Sequence, residues 1–430
     1  MSHAKNVVIR PARSLRGSVR LPGDKSISHR CAMLGGIAEG DTKLENFSTG
    51  ADSASTLGCL KTLGVQWERN GNSVVIHGRG PKLQAPSSFL DCGNSGSTIR
   101  MLSGILAGQN FTCELRGDES LSRRPMARII TPLEMMGAKF ESGEGGRPPL
   151  RLTGGKLNPI DYKLPVASAQ VKTSLLFAGL FADGTTRVEE PIQTRDHGEQ
   201  ALQAFGARLD RQMREVSITG GQKLQAISAT VPGDISSAAF FLCAAGLFPD
   251  SQLVVPGLLL NPTRARLLDF LIGLGLRLTM SDLQEQHGEL VGSLQVEGGA
   301  LRGAKVSGGD TAALIDEIPV LAAIAPHTSE GIEIRDAREL RVKESDRIAS
   351  VATNLRKMGA EVEEFDDGLR IPGQQKLHGA SLDSFGDHRI AMAFAVAALR
   401  AAGETEIQDA GAAVISFPEF FTTLDGLLQR

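Results

Sequence analysis

With 430 residues, 41% of them hydrophobic and 22% charged, the chain has the composition of a globular protein and the length for two domains with buried cores. A net charge of −3 and an aromatic content of only 4% exclude a general affinity for nucleic acid or anionic membranes, and leave no aromatic platform for stacking bases. No apolar run is long enough to span a bilayer and the first ten residues lack a signal-type apolar core, so a cytoplasmic location is expected. Cys31, Cys59, Cys92, Cys113 and Cys243 form no CxxC pair and the histidines show no zinc-type spacing; buried thiols, no metal and no cofactor are expected.

The first informative stretch in chain order is Leu21 to Arg30. Pro22-Gly23 ends an apolar segment, Asp24 to Ser28 supply candidate N-caps, and Ile27, Cys31, Leu34 and Ile37 then recur at helical spacing until Gly40. It reads as strand, tight turn, helix. Lys25 places a cation at the helix N-terminus, where the dipole disfavours it, and a bound anion would resolve that conflict. Ser26 and Arg30 are four apart on one helical face, so hydroxyl, guanidinium and ammonium can converge on one phosphate or carboxylate. By itself the stretch reads first as an ordinary capped helix with a solvated basic first turn.

A second pattern, an apolar helical stretch closing on glycine, ends at Gly64, Gly137, Gly206, Gly275 and Gly359, with a weaker copy at Gly426. The spacing of about 70 residues suggests six copies of one unit. Each glycine fits a helix C′ position that needs a left-handed conformation. Upstream of each lies a counterpart of the opening stretch, at Asp91-Cys92-Gly93-Asn94, Leu164-Pro165-Val166-Ala167, Val231-Pro232-Gly233-Asp234, Ile315-Asp316-Glu317 and Phe385-Gly386-Asp387. The helices that follow are small and apolar all round and should be buried, whereas those ending in glycine carry charges and should lie outside. Three units of mixed strand and two helices make a domain. Matching turns at Pro22-Gly23-Asp24 and Pro232-Gly233-Asp234 predict one domain of residues 1–22 plus 233–430 and another of residues 23–232. If the buried helices of a domain run the same way, their N-termini face the cleft between domains and make it attractive to anions.

Repeats built for stability alone should look alike, so chemistry is sought where they differ. Lys25, Ser26 and Arg30 occur only in repeat one. Repeat two carries Asn94, Gly96, Ser97, Arg100 and then Arg123-Arg124; repeat three carries Ser168-Ala169-Gln170 and Thr194-Arg195-Asp196-His197. Repeat five has Asp316-Glu317 and Arg341 to Arg347, and repeat six Asp387-His388-Arg389, while repeat four contributes almost nothing. Lys343 and Arg347, read as i and i+4 on one helical face, repel unless an anion lies nearby. Lys25, Arg30, Arg124, Arg195, Lys343, Arg347 and Arg389 all fall at loop-to-helix positions, against an overall acidic balance. The substrate should be strongly anionic, with Asp316 and Glu344 as candidates for proton transfer.

Gly23 to Arg30, Gly93 to Arg100, Arg124-Pro125-Met126, Ala167 to Lys172, Arg341 to Arg347 and Asp387 to Met392 closely resemble motifs of the 3-phosphoshikimate 1-carboxyvinyltransferase (EPSP synthase) family, in order along the chain. The resemblance implies an α/β fold of two domains, each of three βαβαββ units with buried parallel helices, an active site in the interdomain cleft, and closure of that cleft on substrate. It implies transfer of the enolpyruvyl group of phosphoenolpyruvate to the 5-hydroxyl of shikimate 3-phosphate, through a tetrahedral intermediate, by a monomer that needs no cofactor. By similarity, Lys25, Ser26, Arg30, Ser168, Ala169, Gln170, Arg195, Asp316 and Lys343 would hold shikimate 3-phosphate. Lys25, Gly96, Arg124, Gln170, Arg347 and Arg389 would hold phosphoenolpyruvate. Asp316 would act as base toward the hydroxyl, and Glu344 with Lys25 as proton donor to C3 of the enol. The chain departs from much of the family at Ala169, where Ser is usual, at Ile415, where many members have Lys, and at Glu339, where some have Asn. The similar UDP-N-acetylglucosamine enolpyruvyl transferases use a Cys on a mobile loop, and the corresponding Gly117 to Arg124 contains none. A DNA-clamp ring would need cations spread over every repeat, and a P-loop kinase would need a GxxxxGK[ST] motif; the chain has neither.

Overall fold

In the sheet formed by Leu90–Asp91, Thr112–Arg116, Arg147–Thr153 and Lys139–Gly143, the first two strands are parallel and the others antiparallel. Helix Gly96–Ala107 connects the parallel pair and helix Ala127–Met136 leads into the closing hairpin, which makes a βαβαββ unit. The same order recurs in Asp161–Lys163, Thr185–Glu189, Glu215–Thr219 and Leu209–Gln212, and again in Ala304–Val306, Ile332–Ile334, Gly368–Ile371 and Glu363–Phe365. This computed structural model describes residues 6–430.

Two repeats borrow their leading strand. Ser228–Thr230 precedes the helix of repeat four in the chain, yet pairs in parallel with Asp41–Glu45 of repeat one. Conversely, Ser14–Ser18 precedes the helix of repeat one and pairs in parallel with Gln252–Leu259 of repeat four. The last repeat has no closing hairpin of its own: Asn6–Ile9 pairs antiparallel with Thr405–Gln408, and Leu428–Gln429 joins Ser14–Leu15. Contacts accordingly divide the chain into two units. The first takes the residues up to Pro22 with Pro232–Gln284 and Leu290–Arg430, and the second takes Gly23–Val231 with the short stretch Glu285–Glu289.

Each unit is centred on three inner helices: Lys25–Ile37, Gly96–Ala107 and Ala169–Gly179 in the second, and Ile235–Gly246, Ile318–Ile324 and His388–Ala398 in the first. Ile235–Gly246 and His388–Ala398 are buried along their whole length. Their alanines and glycines permit close backbone approach. A Cβ added at Gly104 would lie 2.0 Å from the carbonyl oxygen of Ser174 on the neighbouring inner helix. Because backbone cannot step aside as a side chain can, Gly104→Ala is expected to cost about 1–3 kcal/mol. A urea midpoint unchanged from wild type would contradict that close approach.

Five inner helices are capped by a side chain at the matching position, namely Asp24, Ser95, Ser168, Asp234 and Asp387. The fifth repeat differs: Glu317 makes no side-chain cap, and Pro319 sits in the first turn, where a missing N–H costs nothing. Of the repeat-closing glycines, Gly64, Gly137, Gly206, Gly275 and Gly359 adopt φ between 84° and 115°. Gly426 does not; its φ of −65° is right-handed, and the chain passes straight on to the edge strand Leu428–Gln429. Near that end, Phe417 and Phe420 pack on Phe240 and Phe241 with ring centroids 5.6–6.0 Å apart, anchoring the 3₁₀ helix Ala410–Ile415 to the core. All five cysteines are buried and free. Among the described residues no helix is long and apolar enough to cross a membrane.

Candidate active site

In the second unit the distinctive side chains sit at or beside the N-termini of its inner helices. Lys25 occupies the first helical turn behind the Asp24 cap. Its ammonium lies 2.7 Å from Asp52 Oδ2, on the first turn of helix Ala51–Thr62. The helix-terminus conflict posed by the sequence is therefore met within the chain and does not by itself require a bound anion. Arg30 is buried, and among the described residues its guanidinium donates to neutral oxygens alone: to the Ser26 carbonyl at 2.9 Å and to Thr173 Oγ1 at 3.0 and 3.3 Å. Burial lowers its pKa to about 10; Glu199 and Asp24 work against that lowering and Arg195 adds to it, which places Arg195 within electrostatic reach of Arg30.

Gly96, Ser97, Arg100, Arg124 and Gln170 form a second group in this unit. Arg100 Nη1 donates to Gln170 Oε1 at 2.8 Å, and Gln170 Nε2 donates to Ser97 Oγ at 3.0 Å. Arg124 is buried and donates to Asn94 Oδ1 at 2.8 Å and to Ser120 Oγ at 3.1 Å. A Cβ at Gly96 would stand 2.6 Å from Arg100 Nη1 and 3.5 Å from Arg124 Nη1, so only glycine leaves this space between two guanidiniums. The neighbouring Arg123, by contrast, pairs with Glu119 on the exposed surface. A fully buried chain of hydrogen bonds from His29 through Thr56 and Thr98 to Ser95 joins the helix of Lys25, the helix of Asp52 and the cap before Gly96. Burial, with Lys25 and Arg30 nearby, holds the His29 pKa well below the usual imidazole range, so it stays neutral there.

In the first unit the charges converge on Asp316. Lys343 Nζ and Arg347 Nη1 lie 3.9 and 3.8 Å from its Oδ1, and Arg389 Nη2 lies 4.0 Å from its Oδ2. Arg389 also donates to the Asp316 backbone carbonyl at 2.7 Å. Arg347, 1% exposed, is held by Asp387 through Nε at 2.8 Å and by Glu344 through Nη2 at 2.6 Å. Burial alone would lower its pKa, but Asp387, Glu344 and Asp316 together raise it above the usual guanidinium value. Its Nη1 is buried and has no hydrogen-bond partner among the described residues. That leaves one guanidinium nitrogen, with its two N–H groups, for an oxyanion.

The expected shared helical face of Lys343 and Arg347 is not formed. Lys343 ends the 3₁₀ helix Arg338–Val342 in an extended conformation, and the α-helix begins only at Arg347, behind the Asp346 cap. The two cations meet through Asp316 instead. Repeat four contributes more than expected: buried Arg264 bonds to Ser236 Oγ and lies 3.4 Å from Glu317, and Glu317 stands 3.9 Å from Arg389. Sequence reasoning missed Asp52 and Arg264, and singled out Asp387 and Glu317 without finding their partners Arg347 and Arg264. The only signal Asp52 and Arg264 carried was a charged residue at a helix start or in an apolar context.

A family model described as EPSP synthase (3-phosphoshikimate 1-carboxyvinyltransferase) matches residues 9–424. A 3-phosphoshikimate 1-carboxyvinyltransferase of Koribacter versatilis is 60% identical over 427 residues, covering 99% of this chain and all of the relative (100%). Another, of Solibacter usitatus, is 57% identical over 422 residues, covering 98% of this chain and 99% of the relative. An EPSP synthase structure from Acinetobacter baumannii is similar with a TM-score of 0.88 and 40% identity, covering 99% of this chain and 98% of that one. The enolpyruvyl transferase NikO from Streptomyces tendae shares the fold, at a TM-score of 0.76 and 18% identity over 98% and 97% of the two chains.

Proposed function

The chain belongs to the EPSP synthase family, and on that premise we infer that it transfers the enolpyruvyl group of phosphoenolpyruvate to the 5-hydroxyl of shikimate 3-phosphate, releasing phosphate. The observation that carries the reading is Asp316, a single carboxylate with Lys343, Arg347 and Arg389 all 3.8–4.0 Å away. That spacing is loose enough for substrate oxygens to compete for the cations, and it sets a carboxylate where a general base can reach a bound hydroxyl. Asp316 accepts the proton of the 5-hydroxyl. Glu344 and Lys25 deliver the proton that C3 of the enol requires, and an anionic ligand drawing on Arg347 weakens its hold on Glu344. Lys25, Ser26, Arg30, Ser168, Ala169, Gln170, Arg195 and Lys343 bind shikimate 3-phosphate, whereas Gly96, Arg124, Arg347 and Arg389, with Lys25 and Gln170, bind phosphoenolpyruvate. The guanidiniums orient the two anions and stabilise the charge of the tetrahedral intermediate.

The test is phosphate release from phosphoenolpyruvate with shikimate 3-phosphate as acceptor, run beside UDP-N-acetylglucosamine. Release with the first acceptor only is expected; release with the nucleotide sugar only would overturn the substrate assignment. Cys113, the nearest thiol to the Gly117–Arg124 loop in sequence, is buried in strand Thr112–Arg116, which speaks against the second acceptor. A finer check is Gly96→Ala. The added methyl must displace Arg100 from Gln170, and KM for phosphoenolpyruvate is expected to rise about tenfold while the fold persists. An unchanged KM would remove Gly96 from that subsite.

A further inference from the structure

Between strand Thr185–Glu189 and helix His197–Ala204 the chain forms no regular structure, and this segment carries Arg195. Lacking a ladder or a helical turn, such a segment takes its shape from side-chain anchors. Lys172 anchors both of its ends. On helix Ala169–Gly179, two residues past Gln170, its fully buried ammonium lies 2.9 Å from Glu190 Oε2 and 2.7 Å from Glu199 Oε1. Glu190 directly follows the strand and also accepts a hydrogen bond from Thr194, the residue before Arg195. Glu199 lies in the first turn of the helix beyond.

Two simpler roles fit poorly. One ammonium between two carboxylates is a net anionic group, so Lys172 is not a further cation for an anionic substrate. A buried ion triad is often replaceable by apolar side chains without loss of stability, so stability alone does not call for one. Glu199, however, also draws on Arg30, whose hydrogen bonds among the described residues reach neutral oxygens, while Arg195 repels Arg30. The same carboxylate that ties down the segment thus offsets the mutual repulsion of the two guanidiniums.

We propose that Lys172 is a positioning residue: by clamping both ends of the 190–199 segment through Glu190 and Glu199, it holds Arg195 in place to bind shikimate 3-phosphate. This rests on the activity inferred above. It is tested by kcat and both KM values for Lys172→Met, Thr194→Val, Arg195→Ala and the double variant Thr194→Val/Arg195→Ala. Thr194→Val keeps the side-chain volume and the charge balance, so it remains informative if Lys172→Met does not fold. KM for shikimate 3-phosphate is expected to rise about fivefold in Thr194→Val and at least about thirtyfold in folded Lys172→Met, with KM for phosphoenolpyruvate and kcat within about twofold of wild type. In the Arg195→Ala background the Thr194→Val effect should vanish, because the hydroxyl acts through Arg195. If Arg195→Ala raises that KM but Thr194→Val and Lys172→Met do not, or if Thr194→Val has the same effect with and without Arg195, the clamp is overturned. If Arg195→Ala leaves the KM for shikimate 3-phosphate unchanged, the assignment of Arg195 fails and the proposal fails with it; absence of turnover with shikimate 3-phosphate in wild type would instead overturn the activity.

Discussion

Asp316→Asn is expected to lower kcat by about 10²–10⁴-fold, the range for removing a general base, without unfolding the chain. The substitution keeps the shape of the side chain and the backbone carbonyl to which Arg389 donates at 2.7 Å. What it removes is the negative charge shared by Lys343, Arg347 and Arg389. Those cations are then less compensated and should hold anionic substrates at least as well as before. The expected signature is a large fall in kcat with no rise in either KM, measured by steady-state phosphate release. A kcat within threefold of wild type would take Asp316 out of proton transfer; an increased KM with unchanged kcat would make it a binding residue only.

The second large effect concerns stability. Arg347→Met keeps much of the side-chain volume but leaves Asp387, with no exposed surface, and Glu344 without their guanidinium. Removing one partner of a buried pair strands the other charge and costs about 3–5 kcal/mol, read as a lower urea midpoint. The pH dependence has a definite sign. In wild type, burial is the largest influence and pushes the Asp387 carboxyl up, but the charge and hydrogen bond of Arg347, with His388 beside it, together turn the net shift downward. A depressed carboxyl contributes stability that is present above its unfolded value, near pH 4, and lost as pH falls through the lower folded value. In the variant the same buried carboxyl loses its counter-charge and resists ionisation, so stability is lost as pH rises above about 4. The gap between variant and wild type should be widest at neutral pH and narrow toward pH 4. A gap independent of pH would mean that the loss arises from packing rather than from the stranded charge.

Much of this protein is legible in its sequence because the chain repeats. The glycines at 64, 137, 206, 275 and 359 mark helix ends that only a left-handed residue can make, and each adopts that conformation. The N-caps at Asp24, Ser95, Ser168, Asp234 and Asp387 are local as well, since a side chain two or three residues from an orphan N–H needs no tertiary partner. Where the local pattern is faint, the reading fails: Gly426 ends its helix without a left-handed turn, and Lys343 never enters the helix that its spacing to Arg347 suggests.

The cations themselves were recognisable by being unlike their counterparts in the other repeats, but their counter-charges were not. Lys25 meets Asp52 across 27 residues, Arg347 meets Asp387 across 40, and Arg264 meets Glu317 across 53. Helix spacing, caps and the repeat period are properties of neighbours in the chain, so the sequence alone determined the repeats, their buried inner helices and the anionic character of the ligand. Which carboxylate holds which cation, which guanidinium nitrogen is left for a substrate, and which strand completes which sheet depend on packing between repeats. Those were decided only by the tertiary structure, because contacts between side chains distant in sequence leave no periodic trace in it.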